Sequence, residues 1–208
     1  MTSHSGLPDD RLRTIRTSIS RKMYSNGIRD NRSQSFITRD RLLEVWLSQT
    51  DGSSPLDEIQ SYIRSFSRRQ ILNDLLSTIS ILVLILWNDW SRLADRFGHG
   101  KFTDGNLPLS PEDCERVFQQ NSDDGAEFHY VQFAFIPVII KQNKTIKLPD
   151  PNWRLPLSIE GEPNDTGSYG TVTKVRIAKG YFQKEDGTVH NGVSSVLGIA
   201  VKWDTYSY

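Results

Sequence analysis

Nine consecutive residues, Ile79-Ser80-Ile81-Leu82-Val83-Leu84-Ile85-Leu86-Trp87, carry seven large aliphatic side chains, one tryptophan and no charge. A segment apolar all round has to be shut away from water on every side. A bilayer offers one such place, but a spanning helix needs about 20 apolar residues. This run is bounded by Asp74 and Asp89 and falls well short. It is therefore expected as a buried core helix, with a membrane-associated segment as the competing reading.

A buried helix needs amphipathic neighbours, and the flanking sequence supplies them. Leu42, Leu43, Trp46 and Leu47 fall on one helical face, as do Ile59, Tyr62, Ile63 and Phe66. Ile71, Leu72, Leu75, Leu76 and Ile79 lead into the run, and Trp87, Trp90, Leu93 and Phe97 extend the pattern beyond it. The punctuation agrees. Thr50 to Pro55 breaks the chain, Ser54 caps the next helix, Pro55 suits its first position, and Asp57 and Glu58 complement its dipole. Ser67-Arg68-Arg69 is a weaker interruption, and Gly98-His99-Gly100 ends the long pattern because glycine accepts the left-handed exit conformation. Ser110-Pro111-Glu112-Asp113 opens a short helix to about Gln120, with Asp113 returning a bond to the cap. Asn121 to Gly125 reads as a turn. Phe128 to Ile136 fits strand or helix, and a short helix ending before Pro137 is favoured. Three or four helices packed as a small bundle are expected over 36–148, with the leucine and aromatic stripe as core; a partner-binding or self-association groove is the alternative.

Residues 1–35 read as a disordered basic tail. Seven Lys or Arg stand against three Asp, and large apolar residues are few. Contact with nucleic acid or anionic lipid is the other reading, but only Tyr24 is available for base stacking, and no nucleic-acid partner is expected. The whole chain has zero formal net charge, so nothing pulls it globally to polyanions. A single cysteine, Cys114, excludes an internal disulfide framework, and the simplest setting is intracellular, cytoplasmic or nuclear. It reads as a structural thiol, since no motif places a base beside it. The four histidines are scattered without metal-ligand spacing, Asp123-Asp124 lacks the calcium-loop pattern, and no P-loop or nucleophile elbow is present. No metal site and no catalytic residue is assigned.

Pro149, Pro151 and Pro156 mark a linker, after which three strands are expected at about 154–166, 170–179 and 196–203. The first two form a hairpin across Gly167-Ser168-Tyr169-Gly170, followed by Val172. Lys184-Glu185-Asp186-Gly187-Thr188 carries an Asp-Gly turn signal, and the last strand reads Ile199-Ala200-Val201-Lys202. A glycine bend lets backbone approach a ligand closely, and a lysine on a neighbouring strand supplies a point charge. Because Thr171 to Val175 continues as a strand, the bend does not open a helix as a dinucleotide fold requires.

These residues resemble the start of the protein kinase fold, whose pattern is G-x-G-x-x-G-x-V followed by an A-x-K strand. Gly167, Gly170 and Val172 match the second glycine, the third glycine and the valine, and Tyr169 sits at the loop tip. Ala200 and Lys202 match A-x-K. The layout also resembles kinase-like proteins of filamentous fungi, with a helical leader ending in W-x-x-W, here Trp87-Asn88-Asp89-Trp90, and an L-P-L/F segment before the loop. The resemblance implies an α+β chain: a helical bundle, then a three-stranded antiparallel sheet over 149–208 that forms part of a kinase N-lobe. It implies ATP as cofactor, with Gly167, Ser168, Tyr169 and Gly170 over the phosphates, Val172 and Ala200 lining the adenine pocket, and Lys202 on the α/β-phosphates. Asp165 replaces the first glycine and opposes phosphate. H-R-D and D-F-G are missing, so the reading is a truncated kinase-like protein that is inactive alone, with Mg only if a complete kinase domain follows. The alternative is a helical interaction or regulatory module with a non-functional remnant.

Overall fold

The computed structural model describes residues 9–24, 35–49, 52–98, 102–119, 122–144, 152–159, 165–167, 170–189 and 194–199. At its centre the apolar run forms α5 (Leu76–Leu84), and every residue from Leu76 to Val83 is buried. Around it pack α1 (Asp9–Tyr24), α2 (Arg39–Leu47) and α8 (Ser122–Gln132), while α3 (Pro55–Tyr62) packs on α2. Among the described residues no helix is long and apolar enough to cross a membrane.

Helix α1 corrects the expected disordered tail over its own span. Leu12, Ile15, Ile19 and Met23 are spaced three and four apart, which makes a stripe one side chain wide. Ile15 and Ile19 are buried in the main core, with Leu12 and Met23 packed at its edge. The arginines on the flanks obscure the stripe in composition but not in geometry, because long basic side chains keep their charged ends in water. Lys22 reaches Glu44 of α2 at 2.6 Å.

The helix starts follow the local signals. Ser54 Oγ accepts from the Asp57 N–H at 3.2 Å and the Asp57 carboxylate accepts from the Ser54 N–H at 3.2 Å, a reciprocal capping box. That box, with Arg68 close by, holds the Asp57 carboxyl below its usual range. Ser67 and Gln70 make a second box, which turns the expected interruption into the start of α4 (Arg68–Gln70). At α7 (Pro111–Phe118), Ser110 accepts from the Asp113 N–H at 3.1 Å. The turn expected at Asn121 to Gly125 is instead largely helical: α8 already begins at Ser122.

Between α4 and α5 lies a π-helical turn, Ile71–Leu75, ending with Leu75 at φ −137° and ψ 6°. The wider turn disturbs the hydrogen-bond ladder just where α5 begins. Asp104, in a short 3₁₀ turn (Asp104–Asn106), takes up the freed donors. Its carboxylate accepts from the N–H groups of Ser77 and Thr78, both at 2.8 Å, and from the Thr78 hydroxyl at 2.9 Å. Arg39 lies 3.9 Å from the same carboxylate and donates to the Leu72 carbonyl.

At its other end α5 stops sooner than the periodicity predicts. The Trp87 N–H bonds the Leu82 carbonyl at 3.0 Å and the Leu86 N–H bonds the Val83 carbonyl at 3.3 Å, which is a Schellman ending. Leu86 occupies its left-handed position, φ 58°. The chain turns, and Trp87 is buried edge-on to Trp90 (5.4 Å) and Phe97 (6.2 Å). A separate α6 (Leu93–Phe97) follows and ends at Gly98. Gly98 is not left-handed (φ −87°); a Cβ there would lie 2.1 Å from the Ala94 carbonyl oxygen, so close backbone approach is what demands glycine.

Gln132, fully buried at the end of α8, ties the helices together. Its amide accepts from the Leu109 N–H at 2.7 Å and donates to the Leu109 carbonyl at 2.9 Å. Beyond it the chain enters β1 (Ile140–Lys141), which pairs in parallel with β5 (Phe182–Gln183). This two-stranded parallel sheet was not foreseen.

The single three-stranded antiparallel sheet expected over 149–208 is also corrected. Over the first expected strand the described residues form β2 (Leu157–Ile159) and β3 (Asp165–Gly167), with 160–164 outside the described residues. Both pair antiparallel with β4 (Gly170–Ile177), whose Thr171, Val172, Thr173, Val175 and Ile177 favour extended chain. β6 (Ser194–Ile199) pairs antiparallel with β4 as well. Because β2 and β6 both pair with residues 175–177, they lie on opposite edges of β4. The architecture is thus helix-rich, with a four-stranded antiparallel sheet and the small parallel pair.

Candidate functional site

The bend between β3 and β4 is closed by glycine on both sides. Gly167 faces Gly170, Thr166 faces Thr171 and Asp165 faces Val172. Two residues, Ser168 and Tyr169, separate the facing glycines in sequence, the length of the shortest common hairpin connection. On the other side Ile199 of β6 faces Thr173, with a register shift between Thr173 and Val175. β6 therefore runs toward the bend end of β4, and its last residue lies three positions before Lys202 in sequence.

Of the residues singled out in the sequence, Gly167, Gly170 and Val172 are placed on this hairpin. Ser168, Tyr169, Ala200 and Lys202 lie outside the described residues. Among the described residues no cluster of three or more His, Cys, Asp or Glu side chains forms a metal site. Cys114 is buried, and burial with Asp113 beside it pushes its thiol up to about 12, so it is a poor nucleophile at neutral pH.

A second constellation carries no sequence motif. Arg154, in the segment leading to β2, is 6% exposed. Its guanidinium carbon sits 5.6 Å from the centre of the Tyr130 ring on α8, a cation–π contact. Its Nε is enclosed without a hydrogen-bond partner. The backbone is pinned through the Arg154 carbonyl, which accepts from the Val138 N–H at 3.1 Å. The preceding Trp153 packs on Phe133 at 5.7 Å, and Phe133 packs on His129 at 5.4 Å. Near these residues, Tyr181 is held against Arg39 and Asp40 of α2, and burial raises its hydroxyl pKa.

Neither a protein-family model, a curated protein nor a solved structure matches this chain.

Proposed function

We propose that the chain joins a helical domain to the phosphate-gripping start of a protein-kinase-type small lobe. In this reading Gly167, Ser168, Tyr169 and Gly170 lie over the phosphates of ATP, Val172 and Ala200 flank the adenine, and Lys202 meets the α/β-phosphates. The observation that carries it is the pairing of two glycines across a minimal bend, with a third strand running antiparallel toward that same bend. This is the arrangement that lets bare backbone and one ammonium converge on a phosphate chain.

Binding by these residues alone is weak. Asp165 brings a carboxylate to the strand entering the bend, where phosphate carries like charge. Phosphoryl transfer needs a hydroxyl-activating Asp and metal-held phosphates, and the 208 residues contain no H-R-D or D-F-G to supply them. A calorimetric titration with ATP tests this. The wild type is expected to bind more weakly than about 100 µM, Asp165→Gly about tenfold more tightly, and the gain is expected to vanish when Lys202→Ala is added. Micromolar affinity in the wild type, or no binding by Asp165→Gly, would overturn the reading.

The second reading, a helical interaction or regulatory module, is supported by Leu86. This residue is 58% exposed in a conformation that costs an L-residue energy, at the end of the central helix. It predicts that Lys202→Ala leaves all partner binding unchanged.

A further inference from the structure

We propose that Arg154 is the grip of a second anion site, separate from the glycine bend, which seats a phosphate or carboxylate oxyanion against the Arg154–Tyr130 pair. A guanidinium can hardly lose its proton in a protein, so a buried one stays charged and needs compensation. Buried arginines normally obtain it from a carboxylate. Here no acidic side chain pairs with Arg154 among the described residues, although seven ion pairs form elsewhere. Among the described residues its compensation is the face of Tyr130, and a quadrupole is a weak substitute for a full negative charge.

The geometry also leaves a way in. Tyr130 is 49% exposed, so the stacked pair reaches the surface of the molecule although Arg154 itself is buried. Nε is sealed and unpartnered, which leaves the edge formed by the two terminal nitrogens as the free fork. That edge suits end-on, two-point contact with the paired oxygens of a carboxylate or phosphate. The support is rigid: the Val138 N–H holds the Arg154 backbone, and the chain of rings Trp153, Phe133 and His129 fixes the segment on α8. The site is remote from the bend. Leu157, just beyond Arg154, pairs with Ile177, the far end of β4 from Gly170. At the rise of an extended strand the two ends of β4 are roughly 20 Å apart.

The test uses the full chain labelled with ¹⁵N-arginine, titrated with inorganic phosphate and with sodium acetate, against sodium chloride at matched ionic strength. Phosphate or acetate is expected to move the Arg154 Nε–H resonance saturably and raise the thermal midpoint beyond the chloride control. Arg154→Gln should weaken that binding at least about tenfold. Tyr130→Leu, at a half-exposed position where folding is not at stake, should weaken it several-fold. Lys202→Ala and Gly170→Ala should leave it unchanged, which separates this site from the nucleotide reading. Three results would overturn the proposal: phosphate and acetate acting no differently from chloride; Arg154→Gln binding like the wild type; or the Nε–H resonance answering to Asp150→Asn or Glu160→Gln instead of to added anion.

Discussion

Leu86 bears two costs. A left-handed backbone costs a non-glycine residue about 1–2 kcal/mol, and its side chain is 58% exposed, so little burial offsets that. Replacing it with glycine removes the strain but adds unfolded-state entropy of about 0.5–1 kcal/mol. Leu86→Gly is therefore expected to stabilise the protein by about 0.5–1 kcal/mol, read as a higher urea midpoint at unchanged slope; a lower midpoint would show that the leucine packs. This residue also shows where sequence reading stops. The helical period runs through Leu86 into Trp87, Trp90, Leu93 and Phe97 without a glycine or proline to interrupt it. What ends α5 is the tertiary demand of Trp87, whose ring packs against Trp90 and Phe97 once the chain has turned.

At the scale of the element, the start of α5 depends on one side chain from another part of the chain. The π-helical turn frees the Ser77 and Thr78 N–H groups, and Asp104 satisfies both. Asp104→Ala leaves those donors at the edge of the core without a charged acceptor, and a loss of about 2–3 kcal/mol is expected. Arg39→Ala is expected to cost at most about 0.5 kcal/mol, because its side chain is 46% exposed. Chemical denaturation of the two variants checks the ranking, and equal losses would sink it. Although only Ser54 closes a reciprocal box and Asp113 returns no bond to the Ser110 N–H, the caps at Ser54 and Ser110 were legible because each is written within four residues. Asp104 was not, since its partners lie 26 and 27 positions away. Helix α1 escaped for a different reason: its four apolar residues are too few to register in an arginine-rich composition, yet they suffice once a partner face exists.

Across the whole molecule, buried apolar mass is divided unevenly. Among the described residues one cluster runs from Ile15 to Phe135, whereas a second centres on Leu157 and Ile177, with Ile140, Leu155, Tyr181 and Phe182 packed on it. Residues 9–144 are therefore expected to fold by themselves, with a midpoint close to that of the full chain. Removing residues up to Tyr24 exposes the seats of Ile15 and Ile19, and at about 1.5–3 kcal/mol for each side chain the loss is about 3–6 kcal/mol, a large part of ordinary domain stability. Circular dichroism melts of the two truncations decide it: if 9–144 does not melt cooperatively, the helical part is not autonomous. The pairing of Gly167 with Gly170 was readable because the two strands it joins are adjacent in sequence. Arg154 was not, because its burial is conferred by Tyr130 and by the Val138 contact rather than by anything adjacent to it in sequence.

The parallel pairing of Ile140–Lys141 with Phe182–Gln183 makes a neck two residues wide. About forty residues leave and return through it, and the entropy of closing such a loop grows only with the logarithm of its length, about 0.6 kcal/mol for each doubling. Lengthening the excursion is therefore cheap wherever the added residues leave Trp153, Arg154 and Tyr181 seated on the helices. The clasp turns this part of the chain into the place where new sequence can be accepted with least penalty, so that whatever is recognised there can change while the body that carries it stays the same.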